Sequence, residues 1–277
     1  MDMKVLLNGR LIAESEAVLP VSDKAYFFDF CVYESLKVVS GKVFFSEYHV
    51  DRLFDSAKVI GLGHSFSKAA VVSWIEKVVE ANSLIDAFLR VLLIGDADAN
   101  KDPKLFVFPL AGVTFYPKKF YSQGVKTISF SGERLFPNAK TKDLLLGFVA
   151  LRAATKAGAL EALLVDADGN VREGTRSNVF AFKGNKLFFP PKEKVLEGVT
   201  KKILLKVCAP HFELVARDLP LKKIGCFDEV FISSTLFNAL PVRQVDDVVF
   251  AGPFEKTKRV QKLFRDYYHA AVLDPLA

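Results

Sequence analysis

Apolar residues flank Asn8-Gly9 across residues 4–12, a pattern that predicts a β-hairpin turning at that dipeptide. A second hairpin is predicted over 32–40 and 42–45, turning at Ser40-Gly41, with Ser46 as the N-cap of a helix that runs to about residue 60. Val71, Trp74, Ile75 and Val78 recur at helical spacing, which predicts an amphipathic helix over 65–81. Residues 88–94 and 104–108 read as strands, and 111–124, with Gly112, Pro117 and two lysines, as the linker between two halves. Beyond it the pattern predicts a strand at 125–130 and a helix at 143–157 with a broad apolar face. A meander follows through 161–166, 171–173 and 177–182, then a turn at Lys183-Gly184-Asn185. A helix at 200–207 behind Gly198, a strand at 229–233 and a terminal helix at 254–271 complete the series. Strands and helices mix without βαβ alternation, so the expected architecture is two α+β halves: residues 1–113, a linker at 114–124, and 125–277.

The 277 residues allow one large or two medium domains, and 51% hydrophobic content is ample for a core. No apolar run is long enough to span a bilayer, and the first residues lack the layout of a signal peptide. Three scattered cysteines and four histidines supply neither a disulfide scaffold nor a metal cage, and fit a reducing cytoplasm. The net charge of +6 comes from dispersed lysines without a nucleic-acid motif, so it suits anionic small molecules better than nucleic acid.

Four segments place charged or hydroxyl groups at element boundaries. His49, Arg52 and Ser56 share one helix face, where Arg52 can fork onto a phosphate; the plain alternative is a surface arginine. Lys140 and Lys142 precede a helix, where a desolvated lysine can act as an amine nucleophile, although loop lysines are ordinarily solvated. Glu173, beside Gly174 at a strand end, can approach a heteroaromatic nitrogen; otherwise it is a hairpin charge. Gly198-Val199-Thr200 opens a helix whose backbone N–H groups can bind phosphate, with a hydroxyl from Ser233-Ser234-Thr235 to complete the cup; plain capping by Thr200 is the alternative.

As an ordered set these segments are specific. Asn8-Gly9, Asp23-Lys24, Val32-Tyr33-Glu34, His49-x-x-Arg52-Leu53-x-x-Ser56-Ala57, Lys140, Glu173-Gly174-x-x-Ser177-Asn178-x-Phe180, Leu196-x-Gly198-Val199-Thr200, Thr235 and Pro241-Val242 span nearly the whole chain. The chain resembles the fold-type IV pyridoxal 5'-phosphate (PLP) enzymes, which include branched-chain and D-amino acid aminotransferases and aminodeoxychorismate lyases. The resemblance implies a small N-terminal α/β domain, a larger barrel-like C-terminal domain, and a homodimer whose subunits share loops at each site. It implies that Lys140 is the Schiff-base lysine, with Lys142 as rival, that Glu173 faces the pyridine nitrogen, and that Arg52, Val199, Thr200 and Thr235 hold the phosphate. The implied reaction is ping-pong exchange of an amino group between an amino acid and a keto acid, with the freed lysine moving the α-proton.

For the substrate, Arg176 in the cofactor loop is the first candidate for the α-carboxylate; Tyr33, Lys37, Phe30 and Leu236 fall where family members line the pocket. An apolar, aromatic pocket points to a branched-chain or other hydrophobic donor with 2-oxoglutarate as acceptor. Tyr33 and Lys37 look closer to the D-amino acid enzymes, yet the Arg-x-His trap of those enzymes is missing from 94–104. A lyase, or a PLP-binding protein without turnover, is a further alternative. Three departures bear on the pocket: Asp29-Phe30-Cys31 replaces Gly-rich residues, Leu144 replaces a frequent tyrosine, and Leu236-Phe237 replaces a small pair.

Overall fold

The structure, a computed structural model, describes residues 3–96, 98, 101–110 and 116–273. It divides into two compact units, Met1–Thr114 with Ala139–Asp143, and Phe115–Asn138 with Leu144–Ala277. Each combines a sheet with helices, the α+β class that the element pattern predicts.

The first unit contains β1 (Lys4–Leu7), β2 (Arg10–Ala13), α1 (Lys24–Phe27), β3 (Cys31–Val39), β4 (Lys42–Val43), α2 (Ser46–Val59), α3 (Lys68–Ala81), β5 (Ala87–Ile94) and β6 (Lys104–Leu110). Its six-stranded sheet runs β2-β1-β6-β5-β3-β4, antiparallel throughout. The β1–β2 turn holds Asn8 at φ 46 and Gly9 at φ 86, both left-handed, which is why Asn-Gly serves there. Helices α2 and α3 bury Val50, Leu53, Ala57, Val71, Ile75 and Val78 against Val32, Leu36 and Val38 of β3 and Leu89, Val91 and Leu93 of β5. By strand alternation, the opposite face carries Tyr33, Ser35 and Lys37 of β3, paired with Leu92, Arg90 and Phe88 of β5 and beyond them Phe106, Phe108 and Leu110 of β6. Ser46 is not the cap of α2. It is the first helical residue, and Phe45 precedes it at φ 54 without any side-chain cap; Phe45 stacks edge-on to Tyr48, so an aromatic contact stands where a hydroxyl was expected.

Residues 139–143 belong to this unit as a short strap along the start of β3. Tyr33 N–H donates to Lys140 O at 3.0 Å, Lys142 N–H donates to Cys31 O at 3.1 Å, and Thr141 bridges to Val32.

The second unit contains α4 (Lys118–Gln123), β7 (Val125–Ser131), α5 (Leu145–Lys156), β8 (Glu161–Val165), β9 (Asn170–Gly174), β10 (Asn178–Lys183), β11 (Lys186–Phe189), α6 (Val199–Cys208), β12 (Glu213–Ala216), β13 (Leu219–Pro220), β14 (Glu229–Ser234), β15 (Asn238–Val245), β16 (Val248–Val249) and α7 (Glu255–Leu273). The strand order β10-β14-β15-β7-β8-β9 closes on itself because β9 also pairs with β10, which makes a six-stranded barrel; β11, β12, β13 and β16 are appended to it. Within the segment read as a linker, residues 114 and 115 lie outside the described residues and 118–123 form α4. Helix α5 starts two residues later than expected and turns Ala150 and Ala154 inward, while Leu145, Phe148 and Val149 on its broad apolar face are exposed within the chain. Among the described residues no helix is long and apolar enough to cross a membrane, and no group of His, Cys, Asp and Glu forms a metal cage.

Candidate active site

In the first unit, chemistry gathers around Glu34, which strand alternation points from β3 toward α2. One turn of helix separates His49 from Arg52, so both reach the same carboxylate: His49 Nδ1 lies 2.7 Å from Oε2, and Arg52 donates through Nε and Nη2 at 2.7 and 2.6 Å. Burial pushes the Glu34 carboxyl up, but the Arg52 and His49 charges and hydrogen bonds outweigh it and hold the group down at about 2. The His49 imidazole is lowered by its own burial, against the pull of Glu34 and with the help of the Arg52 and Lys140 cations. The expected Arg52 is therefore half-buried and held in a fork on Glu34, and is not a fully exposed surface arginine. One turn further, Ser56 Oγ donates to Arg52 O at 2.7 Å and accepts from Lys140 N–H at 3.0 Å. The shared helix face thus anchors the strap that carries Lys140.

Lys140 is set on the far side of β3 from Glu34. Its Nζ lies 4.6 Å from the centre of the Tyr33 ring, and the Arg90 guanidinium lies at the same distance from that ring. Lys37 follows on the same face, and burial lowers its amine from the usual lysine range, with Asp86 opposing. Arg90 is absent from the expected set, although it is the one charged side chain within the apolar run Ala87–Ile94. Phe30 packs where Gly95 leaves room: a Cβ on Gly95 would stand 2.4 Å from the Phe30 ring. Phe30 also lines a cavity of about 710 Å³ with Leu62, His64, Lys24 and Lys101.

In the second unit, Glu173 is buried at the end of β9 and pairs with Asn178 across β10. Its Oε2 accepts from Leu196 N–H at 3.2 Å, and Arg134, a residue that the sequence reading did not single out, lies 3.8 Å from Oε1. Asn178 Nδ2 donates to Leu196 O at 2.8 Å, so β9, β10 and the loop before α6 are tied together. Gly198 is required at this junction, because a Cβ there would stand 2.1 Å from Asn178 Oδ1. Gly198 is also the N-cap of α6 and offers no side chain, so the helix start, with Val199 and Thr200 both buried, is capped by no side chain, and Thr200 is not the cap. Thr235 is half-buried in the turn between β14 and β15; Leu236 N–H next to it donates to Ser234 Oγ at 3.3 Å, and Phe237 turns into the core against Tyr116. Ser233 Oγ, buried and facing the same way as Asn178, has no hydrogen-bond partner among the described residues. Arg176 lies 4.0 Å from Glu161, a buried carboxylate whose acid is raised by burial despite hydrogen bonds from Thr175 and Ser177.

The sequence profile of the family described as amino-transferase class IV matches residues 31–245, so the chain belongs to the class IV aminotransferases. It is 31% identical to a putative branched-chain-amino-acid aminotransferase of Methanocaldococcus jannaschii, over 95% of this chain and 96% of that one. It is 33% identical to a D-alanine aminotransferase of Bacillus licheniformis, over 94% and 95%. Among solved structures, a branched-chain amino acid aminotransferase of Escherichia coli superimposes with a TM-score of 0.88 at 25% identity, covering 97% of this chain and 95% of that chain. The protein is a PLP-dependent transaminase with the two-domain fold of type IV. Each unit holds groups that suit that cofactor: in the second, an uncapped helix start suits a phosphate and a buried carboxylate suits a protonated ring nitrogen; in the first, Lys140 is a primary amine.

Proposed function

We propose that the chain exchanges an amino group between a hydrophobic amino acid, of the branched-chain kind, and 2-oxoglutarate, and that it works as a homodimer. Lys140 carries the cofactor and moves the proton of the substrate α-carbon. Glu173 keeps the ring nitrogen protonated. Arg52, the first amides of α6, Thr200 and Thr235 hold the phosphate. When bound, PLP supplies the electron sink for the pair left on the α-carbon. Lys140 must be neutral to take the proton, and its Nζ shares the Tyr33 ring with the Arg90 guanidinium, each 4.6 Å from the ring centre.

The observation that carries the substrate reading is the Tyr33 face of the six-stranded sheet. It is apolar at Phe88, Leu92, Phe106 and Phe108, with two cations set into it, Arg90 and Lys37. Apolar walls accept a hydrocarbon side chain, and a guanidinium accepts the second carboxylate of a dicarboxylic keto acid. Arg90 or Lys37 is the better carboxylate receiver than Arg176, which already stands beside Glu161. The test is steady-state kinetics with L-Leu and 2-oxoglutarate. Parallel double-reciprocal lines are expected, and Arg90→Met is expected to raise KM for 2-oxoglutarate by at least about tenfold, the scale of one charge-assisted contact, with KM for L-Leu little changed. An equal rise for both substrates counts against the assignment. The second reading, a D-amino acid aminotransferase, draws on Tyr33 with Lys37 and on the likeness to the Bacillus licheniformis enzyme. Turnover of D-Ala but not L-Leu selects it.

A further inference from the structure

Lys140 and Lys142 lie two residues apart on one extended strap, so their side chains leave it on the same side. Both are primary amines, and both can condense with an aldehyde. The structure treats them differently. Lys140 is fixed by Ser56 through its backbone N–H, and its Nζ lies over Tyr33. The Lys142 ammonium is ion-paired with the Asp29 carboxylate and sits 5.3 Å from the centre of the Tyr26 ring.

Asp29 is held at φ 51, a left-handed conformation that Asp and Asn tolerate better than other side chains. The carboxylate is thus presented next to Cys31, whose carbonyl receives the Lys142 backbone N–H. Ring and carboxylate together hold the Lys142 ammonium from two directions. Burial acts against its charge, yet the Asp29 hydrogen bond and charge keep its titration above the ordinary lysine range. A protonated, tethered amine is not a nucleophile.

We propose that Asp29, with the Tyr26 ring, sequesters Lys142 and thereby makes Lys140 the one lysine that takes the cofactor. Asp29 is then a residue that selects between two amines. The proposal rests on the assignment of PLP to Lys140, and the experiment separates the two.

PLP-loaded enzyme is reduced with borohydride, which fixes the cofactor on its lysine nitrogen as a stable secondary amine, and the labelled peptide is read by mass spectrometry. The wild type is expected to carry the label on Lys140; label on Lys142 overturns the Lys140 assignment itself. The deciding comparison is Lys142 labelling in Lys140→Ala against Asp29→Asn/Lys140→Ala. Asn keeps the left-handed backbone and removes the charge. Labelling is expected to rise about tenfold or more in the double variant, the scale of losing one charge-assisted hydrogen bond. Equal labelling in the two overturns the proposal. Asp29→Gly in place of Asn, which also accepts the backbone, repeats the comparison if the Asn variant folds poorly. Asp29→Glu/Lys140→Ala, which retains the carboxylate, is expected to label like Lys140→Ala.

Discussion

Lys140 and Lys142 cannot be told apart by local sequence, since each is a lysine in a polar loop before a helix. Their surroundings separate them: Ser56 and Tyr33 attend one, Asp29 and Tyr26 the other. Lys140→Ala is accordingly expected to cut borohydride-fixed cofactor to the low level that Lys142 takes in the native Asp29 background, while Lys142→Ala leaves it intact. Glu173→Gln keeps the shape and removes the charge, and is expected to lower kcat by about 100-fold or more, measured with saturating PLP. Glu34 bears on stability rather than on turnover. Its acid is depressed to about 2, below its unfolded value of 4.5, so its contribution is fully present above pH about 4.5 and is lost as pH falls through about 2. Glu34→Gln leaves half-buried Arg52 without its counter-charge. It is expected to cost about 3–5 kcal/mol at neutral pH in denaturant melts and to flatten the acid limb of the stability curve. An unchanged acid limb would place the titration elsewhere.

At the scale of elements, the legible features were those with a local cause. The Asn8-Gly9 and Ser40-Gly41 turns, the apolar stripes of α2 and α3 and the meander of β8 to β10 follow from turn chemistry and periodicity. Short appended strands such as β12, β13 and β16 carry no such pattern, because pairing with a distant partner defines them. The strap of 139–143 shows the same limit: Lys140, Thr141 and Lys142 are placed only by bonding β3, more than a hundred positions upstream. Arg90 was legible and passed over, a lone charge in an apolar strand. Gly198 shows a demand that only packing reveals. Its φ of −62 suits any residue, and the constraint comes from Asn178 Oδ1. Gly198→Ala is expected to destabilise the protein by about 1–3 kcal/mol through overpacking and to weaken PLP binding, read by thermal melting with and without PLP. Equal melting of variant and wild type would mean that Asn178 moves aside freely.

For the whole molecule, the apolar groups exposed among the described residues include Phe27 and Phe28 at the end of α1, and Leu145, Phe148 and Val149 on α5. Exposed groups of this kind are what the proposed homodimer would bury. Phe148→Lys is expected to shift sedimentation from dimer to monomer, and a wild type that sediments as a monomer at micromolar concentration would remove the dimer reading. Amino-group exchange by this chain is tested most directly by a half-reaction, in which PLP-loaded enzyme is mixed with one amino acid at a time and the loss of cofactor absorbance near the visible edge is followed. L-Leu, L-Ile and L-Val are expected to bleach it and to release the matching keto acids, with D-Ala and D-Glu inert. Bleaching by D-Ala with L-Leu inert would contradict the substrate reading, and bleaching by no amine would contradict the account of the site itself.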